Sequence, residues 1–554
     1  MTAYSTRIPS RRAALHTNWS TAEVYAPDGV VSVALWLARP FPGQARSYAK
    51  LVRQADGWDP ACVVRHRVGR NFAVAVGVLL ASCRSDRAAH IAALPSAPPA
   101  QPAPSAQPSS TVADPPQPAR AEPDPPQKFA AWLRERIPAG ALIAPAESGA
   151  MSIVHTVAPG DTALTIANAY LDITTVYRAK DLAAEIAKRG PLTPGSAVEI
   201  PHVVTAPYRT PDEDRLGWPP DRALKGVFIT GVYAGAFWPE TIEKVAARKL
   251  NAIVLDGKDY MGPVNYPTHV KLALEMEAAK NHPIPDFSRA IRFAHARDIR
   301  VIVRIPCFHD PWAARHAPRL SLMNQRGTPF EMGWTDPTNV EAQDYVLALV
   351  AEVIELGADE VQLDYVRFPV YSQGIKYAAM PPADGHRSQA MKAFVRRVHE
   401  VTQAHHVPLS LDLFGVTATG DLSDIEALGQ NIGVVGSEAE ALSPMVYPSH
   451  YDRGFNGFDE PGNHPEIVGM GTRASNDKLK QARNTSTVVR PWLQAMAYKS
   501  SAFGPKYIQE EIRSAETSGS TGWLMWDPDN NYWAVWAALP VVADHHEAMA
   551  TTPP

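Results

Sequence analysis

The sequence predicts an α/β fold in which residues 222–540 form a (β/α)8 barrel. From Lys225 onward, short apolar runs alternate with amphipathic helical stretches, and this alternation is typical of a parallel sheet. The eight runs span about 310 residues, a length that fits a barrel with insertions. They lie at 226–230, 252–256, 301–304, 361–364, 409–412, 443–447, 491–494 and 523–527.

Amphipathic helices are predicted between these runs, for example at 286–297, at Val340–Glu355 with Asn339 as N-cap, and at 388–404. Polar or charged residues stand at the C-terminal ends of the runs, where barrels of this kind carry their active sites. An open doubly wound sheet would also place ligands at strand ends, but no glycine-rich phosphate loop follows any run. The sequence therefore gives nucleotide binding no support.

The composition is that of a globular protein too long for one ordinary domain. Of its 554 residues, 45% are hydrophobic and 20% are charged. A net charge of −4 without a long basic run argues against a nucleic-acid partner. The three cysteines, Cys62, Cys83 and Cys307, exclude a disulfide framework, and their spacing does not suggest structural zinc.

A secretory signal is predicted at residues 65–83. The basic stretch 65–70 precedes the apolar run 71–80, which is well below the roughly 20 residues needed to span a bilayer. The ending "LASC" resembles the bacterial lipobox, which implies lipidation at Cys83 and a place in the cell envelope, at the outer membrane in a Gram-negative cell. Such a signal normally begins a chain, so either the true start lies after Met1 or residues 1–64 are an unrelated extension. We favour the first; a buried core segment is the alternative reading of the apolar run.

Residues 84–150 are predicted to form a disordered, proline-rich linker. The stretch 95–126 has no periodicity and few large apolar residues, which indicates an extended, partly polyproline II tether. A short helix is expected to start within 128–137. After a lipid anchor, such a tether would hold the rest of the chain away from the membrane.

A small α+β domain is predicted at 151–204. A strand at 153–157 leads into a turn in which Asp161 or Thr162 can cap a helix from Ala163; a helix over 175–188 and a strand at 197–201 follow. The segments "HTVAPGDTALTIANAY" and "LTPGSAVEIP" resemble a LysM domain. The resemblance implies binding to glycans that contain N-acetylglucosamine, such as peptidoglycan and chitin. The middle segment "DLAAEIAKRG" is longer than usual in that family, and a plain spacer is the alternative.

Carboxylates are predicted to meet at the mouth of the barrel. In "VQLDYVRFP", the period of two puts Gln362 and Asp364 on one face, so Asp364 lies at the mouth if that face is the inner one. Asp412 on the next strand lies at the equivalent height, and Asp256 is a third carboxylate nearby. Two carboxylates across a cleft are the minimal machinery of glycoside hydrolysis. The alternative is a structural network of ion pairs at the rim.

Further side chains near the strand ends are candidates for substrate contacts. Arg304 and Arg367 are cations that can keep a neighbouring carboxylate ionised, and aromatic faces beside polar groups suit sugar rings. The predicted substrate-binding set is Asp256, Lys258, Arg304, Arg367, Trp334, Tyr447, His450, Tyr451, Gln494, Trp526 and Asp527. No cofactor or metal is expected, because His309, His450 and His464 do not share a helix face at ligand spacing. Cys307 is expected to be an inert buried thiol.

The order of the motifs adds a family resemblance over about residues 223–540. It is carried by "KGVFITG", "LNAIVLDGKDYMGPVNY", "IRVIVRIPCFHDP", "WTDPTN", "ADEVQLDYVRFP", "LDLFG" and "SPMVYPSHY". Together these resemble a bacterial family of glycoside hydrolases, long classified as a domain of unknown function, among TIM-barrel glycosidases related to the α-amylase type. The resemblance implies that Asp364, at the end of strand four, is the nucleophile. Amylase-like barrels carry a Glu acid/base on strand five, where this sequence has Asp412.

These expectations combine into an envelope-anchored enzyme that cleaves peptidoglycan or another polysaccharide, helped by a LysM-like glycan-binding module. In the predicted retaining mechanism Asp364 attacks the sugar and Asp412 is the acid/base. That mechanism needs carboxyl groups about 5–5.5 Å apart, whereas roughly 6.5–9.5 Å favours inversion. Two alternatives are a non-catalytic, glycan-binding cell-wall lipoprotein and a metal-dependent hydrolase or deacetylase.

Overall fold

The computed structural model describes residues 20–26, 29–35, 125–145, 151–330, 333–370, 374–379 and 386–541. The chain divides into two compact units, Met1–Pro115 and Pro116–Pro554. In the first unit, strands β1 (Ser20–Ala26) and β2 (Gly29–Leu35) pair as an antiparallel hairpin. The predicted signal sequence with Cys83 lies outside the described residues, as does most of the predicted linker.

The second unit begins with a small α+β domain. Its elements are α1 (Pro125–Arg134), β3 (Leu142–Pro145), β4 (Met151–Thr156), α2 (Ala163–Tyr170), α3 (Ala179–Ala187) and β5 (Ala197–Glu199). The strands form an antiparallel sheet in the order β3-β4-β5, and the helices bury apolar side chains against it. As predicted, α2 begins at Ala163, and its N-cap is Thr162, whose hydroxyl accepts a hydrogen bond of 3.1 Å from the Thr165 amide.

The small domain starts earlier than the predicted boundary at residue 151. Phe129 and Leu133 of α1 are buried in the same apolar cluster as Ile153 of β4. Strand β3 pairs with β4 from Leu142 opposite Val154 onward. Residues 125–145 are therefore part of the folded domain and not of a linker. The apolar face of α1 is buried in the domain core, and β3 is an edge strand of its sheet.

Among the described residues, eight parallel strands close into a barrel, which confirms the predicted fold. In chain order they are β6 (Leu224–Ile229), β7 (Ala252–Asp256), β8 (Arg300–Pro306), β10 (Glu360–Asp364), β12 (Leu409–Phe414), β13 (Ala441–Met445), β15 (Trp492–Gln494) and β16 (Gly522–Trp526). Each strand pairs with the next, and β16 pairs with β6 to close the ring. The short strands β9 (Met323–Asn324) and β11 (Ile375–Lys376) pair with each other, and β14 (Val488–Val489) pairs with β13.

Helices surround the barrel in the alternation that the sequence predicts. They are α4 (Pro211–Asp214), α5 (Gly231–Ala246), α6 (Lys271–Glu275), α7 (Phe287–His295), α8 (Pro311–His316), α9 (Val340–Glu355), α10 (Arg387–Ala404), α11 (Val416–Thr419), α12 (Leu422–Leu428), α13 (Ile432–Val435), α14 (Glu466–Gln481), α15 (Pro505–Glu516) and α16 (Trp533–Ala538). Helix α9 has the predicted bounds, and Asn339 caps it by accepting from the amides of Glu341 and Ala342. No helix among the described residues is long and apolar enough to cross a membrane.

The small domain is fastened to the outer wall of the barrel. Arg289 of α7 donates to the backbone oxygens of Val176 and Leu171, at 3.0 and 2.8 Å. Arg178 reaches across to Glu240 of α5 at 2.7 Å. These hydrogen bonds from a mostly buried guanidinium, together with the ion pair, hold the small domain against α5 and α7.

Candidate active site

Charged side chains from four adjacent strands meet inside the barrel mouth. They are Asp256 of β7, Arg304 of β8, Asp364 of β10 and Asp412 of β12, and each is more than nine-tenths buried. The register explains the meeting, since Arg304 lies beside Asp256 on one side and beside Gln362 on the other. Alternate residues of a strand point to the same face, so Gln362 and Asp364 both face inward, as predicted.

The guanidinium of Arg304 bridges these carboxylates. Its Nη1 donates to Oδ1 of Asp256 at 2.6 Å, while Nε and Nη2 donate to Oδ2 of Asp364 at 3.1 and 2.5 Å. Oδ2 of Asp412 lies 3.8 Å from the same Nε. With all three aspartates ionised, a single positive charge would face three negative ones in a buried site, which is costly, so the cluster favours holding a proton.

The carboxyl group of Asp412 is well placed to hold that proton, because it is buried. The pKa of its carboxyl group is raised well above the usual range, first by burial and then by the charge of Asp364, against the opposing effect of Arg304. Its Oδ1 also accepts a hydrogen bond of 2.6 Å from the indole nitrogen of Trp492. A buried, protonated carboxyl group held in one orientation is suited to give its proton to a substrate.

Asp256 lies behind Arg304, away from the cavity. Burial raises the pKa of its carboxyl group to about 7, although Arg304 opposes the shift. Its backbone oxygen accepts from the side chain of Asn265 at 2.9 Å. Asp256 therefore acts on the site through Arg304, which it holds from the side opposite to Asp364.

The end of β10 is held in an unusual backbone conformation. Tyr365 has φ = 48°, in the left-handed region that a bulky residue rarely adopts. Its amide donates to Oδ1 of Asp364 at 2.5 Å, and the amide of Cys307 donates to the backbone oxygen of Asp364 at 2.7 Å. These contacts over-determine the position of the Asp364 carboxylate, as is common at functional sites.

A cavity of about 730 Å³ opens directly above the cluster. Arg304, Asp364 and Asp412 form its floor, and its volume is within the roughly 300–1,000 Å³ of ligand pockets. Of the predicted substrate-binding residues, it is lined by Arg304, Arg367, Tyr447, His450, Tyr451 and Trp526. The rings of Tyr447 and Trp526 stack at 5.1 Å with an angle of 27°. Such a flat aromatic wall suits a sugar ring.

Arg367 stands in an aromatic box at the edge of this cavity. Its Cζ lies 4.9 Å from the ring centre of Trp334, 4.8 Å from that of Phe414 and 5.5 Å from that of Tyr365. The side chain is nine-tenths buried, and burial lowers the pKa of its guanidinium. Trp334 is thus placed behind Arg367 and does not line the cavity itself.

Two more predicted contacts lie away from the cavity. Lys258 is fully buried, and its ammonium group pairs with Oδ2 of Asp310 at 2.7 Å. Asp527 is buried at the end of β16, where its Oδ1 accepts from the amide of Asp529 at 2.7 Å and burial raises its pKa to about 6. Both have structural partners, so the geometry assigns them to the support of the strand ends.

Gln494 connects two loops instead of lining the cavity. Its Oε1 accepts from the amide of Ser449 at 3.1 Å, and its Nε2 donates to the backbone oxygens of Met496 and Tyr498. The side chain is fully buried. It ties the loop after β13, which lines the cavity, to the loop after β15.

Several lining residues were not predicted from the sequence. Asp421 and Asp424 come from the segment after β12, and Asp452, Arg453 and Phe455 come from the loop after β13. Asp424 lies in the short helix α12, with Asp421 as its N-cap, and neither this segment nor the loop after β13 carries a pattern that marks its residues as site residues. The search for polar residues at strand ends considers only the last residues of each strand. It therefore misses side chains from the longer connections that cover the barrel mouth.

Among the described residues, no group of three or more His, Cys, Asp or Glu side chains is arranged to hold a metal ion. The carboxylates that come closest to such a group are separated by the guanidinium of Arg304. Cys307 is fully buried, and burial strongly raises the pKa of its thiol. That environment is the opposite of one that activates a cysteine.

A barrel that presents paired aspartates in an aromatic-lined cavity has the arrangement of a carbohydrate-cleaving enzyme. A family model described as "Putative glycosyl hydrolase domain" matches residues 226–532, which is more than half of the chain. The chain belongs to this family, and it is a glycoside hydrolase by that membership. The activity class predicted from the sequence is confirmed at this level, whereas the relation to the α-amylase type stays a prediction.

Parts of this chain also match solved structures. A hypothetical protein from Ruminiclostridium thermocellum is 26% identical over 34% of this chain and 96% of its own, with a TM-score of 0.31. The glycoside hydrolase domain of PgaB (BpsB) from Bordetella bronchiseptica is 10% identical over 58% and 99%, with a TM-score of 0.41. The α-galactosidase TtGalA from Thermus thermophilus is 16% identical over 60% and 62%, with a TM-score of 0.38. No curated protein sequence matches this chain.

Proposed function

We propose that the barrel hydrolyses a polysaccharide with retention of configuration, with Asp364 as the nucleophile and Asp412 as the general acid and base. The observation that carries the proposal is the pair itself: both side chains form the floor of one cavity, yet only Asp364 is gripped at short distance by Arg304. Asp412, by contrast, has a raised pKa because it is buried beside Asp364. Neighbouring carboxyl groups in contrasting environments define an acid and a nucleophile.

The distances are compatible with retention. Oδ2 of Asp364 and Oδ2 of Asp412 lie 3.1 and 3.8 Å from the same atom, Nε of Arg304. Their separation therefore cannot exceed the sum of these two distances. A separation below this limit can equal the roughly 5–5.5 Å of retaining enzymes. Of the roughly 6.5–9.5 Å found in inverting enzymes, only the lower end is possible.

In the first step, a carboxylate oxygen of Asp364 bonds to the anomeric carbon while the glycosidic C–O bond breaks. Asp412 gives its proton to the leaving oxygen. In the second step, Asp412 takes a proton from water, the water oxygen bonds to the anomeric carbon, and the carboxylate of Asp364 leaves. Arg304 donates to Oδ2 of Asp364 through Nε and Nη2 and so holds this carboxyl group in place below the cavity.

The first test is release of reducing ends from peptidoglycan, chitin and α-glucans by the purified full chain. Asp364→Asn should reduce release to background while the fold is retained, and Asp477→Asn, an exposed aspartate of the outer helix α14, is the matched control. Retained activity in Asp364→Asn would remove this residue from the mechanism. Binding without release by the wild-type chain would favour a non-catalytic glycan-binding protein.

The second test separates the roles of the two aspartates. Asp412→Asn should lower kcat/KM on the polysaccharide by about 10²–10⁴-fold, the usual contribution of a general acid. The loss should be smaller on aryl glycosides, whose leaving groups need no proton. Proton NMR of the first-formed anomer should show the configuration of the substrate; the opposite anomer would overturn retention.

We further propose that the small domain binds N-acetylglucosamine-containing glycans in the manner of LysM domains. Its strand–helix–helix–strand order and the capped turn before α2 support this. Leu164, in the first turn of α2, is half exposed beside that turn. Leu164→Ser should weaken co-sedimentation of the Asp364→Asn chain with chitin or peptidoglycan, whereas Leu142→Ser, an exposed leucine on β3, should not.

Anchoring to the cell envelope through Cys83 is proposed from the sequence motif alone. Cells that express the chain should incorporate an alkyne-labelled fatty acid into it, and Cys83→Ser should abolish the label. A labelled Cys83→Ser chain, or an unlabelled wild-type chain in the soluble fraction, would overturn the proposal. This outcome would leave the assignment of the barrel untouched.

A further inference from the structure

A second cleft opens beside the catalytic cavity. It has a volume of about 570 Å³ and shares Tyr451, Asp452 and Arg453 with that cavity. These residues lie in the loop after β13, so one stretch of chain forms a wall of both spaces. Each space is large enough for a small ligand, and the two spaces are adjacent along this shared wall.

The walls of the second cleft are joined by buried hydrogen bonds. One wall is the loop after β13, and the other is the segment 497–501 after β15. Gln494 links them, since it accepts from the amide of Ser449 and donates to the backbone oxygens of Met496 and Tyr498. A cleft whose walls are tied in this way keeps its shape without ligand, which lowers the entropic cost of binding.

A second, more exposed link joins the same walls. Oδ1 of Asn463 accepts from the amide of Ala502 at 3.0 Å and from the hydroxyl of Ser501 at 3.2 Å. At Gly462 the walls approach so closely that a Cβ atom would lie 2.0 Å from the backbone oxygen of Lys499. Only glycine fits there, so the contact between the two walls depends on this residue.

The lining chemistry suits the hydroxyl groups of a sugar. Asp459, Glu460 and Lys499 are exposed along the cleft, and Ser501 adds an exposed hydroxyl group. Carboxylates accept hydrogen bonds, ammonium groups donate them and hydroxyls do both, which matches the alternating donors and acceptors of a carbohydrate.

The outer edge of the shared wall carries an ion pair that a ligand can displace. Arg453 and Asp459 pair at 3.3 Å with side chains that are 81% and 82% exposed. Exposed pairs of this kind contribute little to stability. Either side chain can therefore leave this ion pair and form a hydrogen bond with a sugar hydroxyl instead.

We propose that the second cleft binds sugar units of the same glycan chain that occupies the catalytic cavity. The substrate is then an oligosaccharide or polysaccharide long enough to fill both spaces, and not a disaccharide. The inference rests on the proposed function, because it takes the occupant of the cavity to be a carbohydrate. It adds a site and a length requirement that the catalytic pair does not imply.

The test measures binding as a function of glycan length. Dissociation constants are determined by calorimetry for chitin oligosaccharides, peptidoglycan glycan strands and malto-oligosaccharides of two to six units, with the full Asp364→Asn chain. The blocking variant adds Ala497→Trp, which places a large ring in the second cleft. The matched control adds Ala537→Trp, at an exposed alanine of the outer helix α16. The Asp364→Asn chain and its two derivatives contain the same small domain, so any glycan binding by that domain is equal in all three and cancels in the comparison.

We expect the affinity for one oligosaccharide series to rise with length, and Ala497→Trp to weaken binding of the longest member at least ten-fold. The same variant should leave binding of the disaccharide unchanged, and Ala537→Trp should alter neither. Equal length dependence with and without Ala497→Trp would overturn the second cleft, and so would the absence of any binding. Length-dependent binding that Ala497→Trp abolishes, in a chain whose wild type releases no reducing ends, would support the cleft and reject the hydrolase.

Discussion

The indole nitrogen of Trp492 donates a hydrogen bond of 2.6 Å to Oδ1 of Asp412. Trp492 comes from β15 and Asp412 from β12, so the bond spans the inside of the barrel. Burial and the charge of Asp364 raise the pKa of Asp412, while this bond and Arg304 lower it. The indole therefore limits how strongly the proposed acid holds its proton, and it orients the carboxyl group towards the cavity.

Removal of that bond should shift the pH dependence of the reaction. In Trp492→Phe the pKa of Asp412 loses a lowering influence and rises further, so the acid remains protonated to higher pH. The alkaline limb of the kcat/KM profile should then move to higher pH, and the rate at the optimum should fall. An alkaline limb at the same pH as in the wild type would show that Asp412 is not the acid. The control is Trp523→Phe, a buried tryptophan that donates to Glu516 on the outer side of the barrel.

Replacement of Arg367 by lysine should weaken substrate binding. The planar guanidinium lies within 5.5 Å of three aromatic ring centres, and a lysine cannot reproduce that stacking. Arg367→Lys should raise KM about ten-fold, which corresponds to ~1.4 kcal/mol, with a smaller effect on kcat. Steady-state kinetics on the polysaccharide provide the measurement. Arg387→Lys, a stacked arginine over Phe368 and Tyr377 outside the cavity, should leave KM unchanged.

Loss of the Lys258 ammonium group should destabilise the fold without affecting binding. Lys258→Met leaves the buried Asp310 without its cation, which typically costs about 3–5 kcal/mol. Adding Asp310→Asn should recover most of this loss, because Asn can still cap α8 at the amide of Ala313. Denaturant unfolding gives the free energies, and KM should be that of the wild type. A higher KM at unchanged stability would restore the substrate-binding role predicted for Lys258.

The stability of the chain should fall between neutral and alkaline pH because of His295. Burial lowers the pKa of this imidazole, but hydrogen bonds to Asp214 and Asp359 more than offset that effect and raise the pKa to about 9. The folded state then holds a proton that the unfolded state releases near pH 6.5, so this stabilisation is complete below that pH and is lost as pH rises through 9. A shift of this size corresponds to on the order of 3 kcal/mol.

His295→Gln should be less stable than the wild type at pH 6 and should approach it near pH 10. Urea unfolding over this range is the measurement. His316→Gln replaces an exposed histidine of α8 that bonds only a backbone oxygen, and its stability should parallel that of the wild type. Parallel curves for His295→Gln and the wild type would contradict the assignment.

Sequence reasoning located the floor of the site and only part of its walls. Asp256, Arg304, Asp364 and Asp412 end or nearly end buried strands, and a period-two pattern gives both their face and their height. By contrast, Lys258 follows a strand just as closely, yet its charge is paired with Asp310 in a loop that no pattern connects to it. Whether a strand-end residue faces the ligand or a buried partner depends on the loop that covers it.

The boundary of the small domain shows the same limit. The proline content up to residue 126 suggested a linker as far as residue 150, but β3 gains its backbone partners from β4. An edge strand of four residues has too short a pattern to detect, because pairing with another strand, not its own periodicity, stabilises it.

The sequence by itself determined the alternation of strands and helices, the barrel that follows from it, and the carboxylates at neighbouring strand ends. Those features depend on local periodicity and on the fixed height of strand ends in a parallel sheet. Only the tertiary structure decided that one arginine holds Asp364 and approaches Asp412, that Trp492 donates to the latter, and that a second cleft shares a wall with the first. These relations join residues up to 108 positions apart through side-chain length, loop path and burial, which no single stretch of sequence encodes.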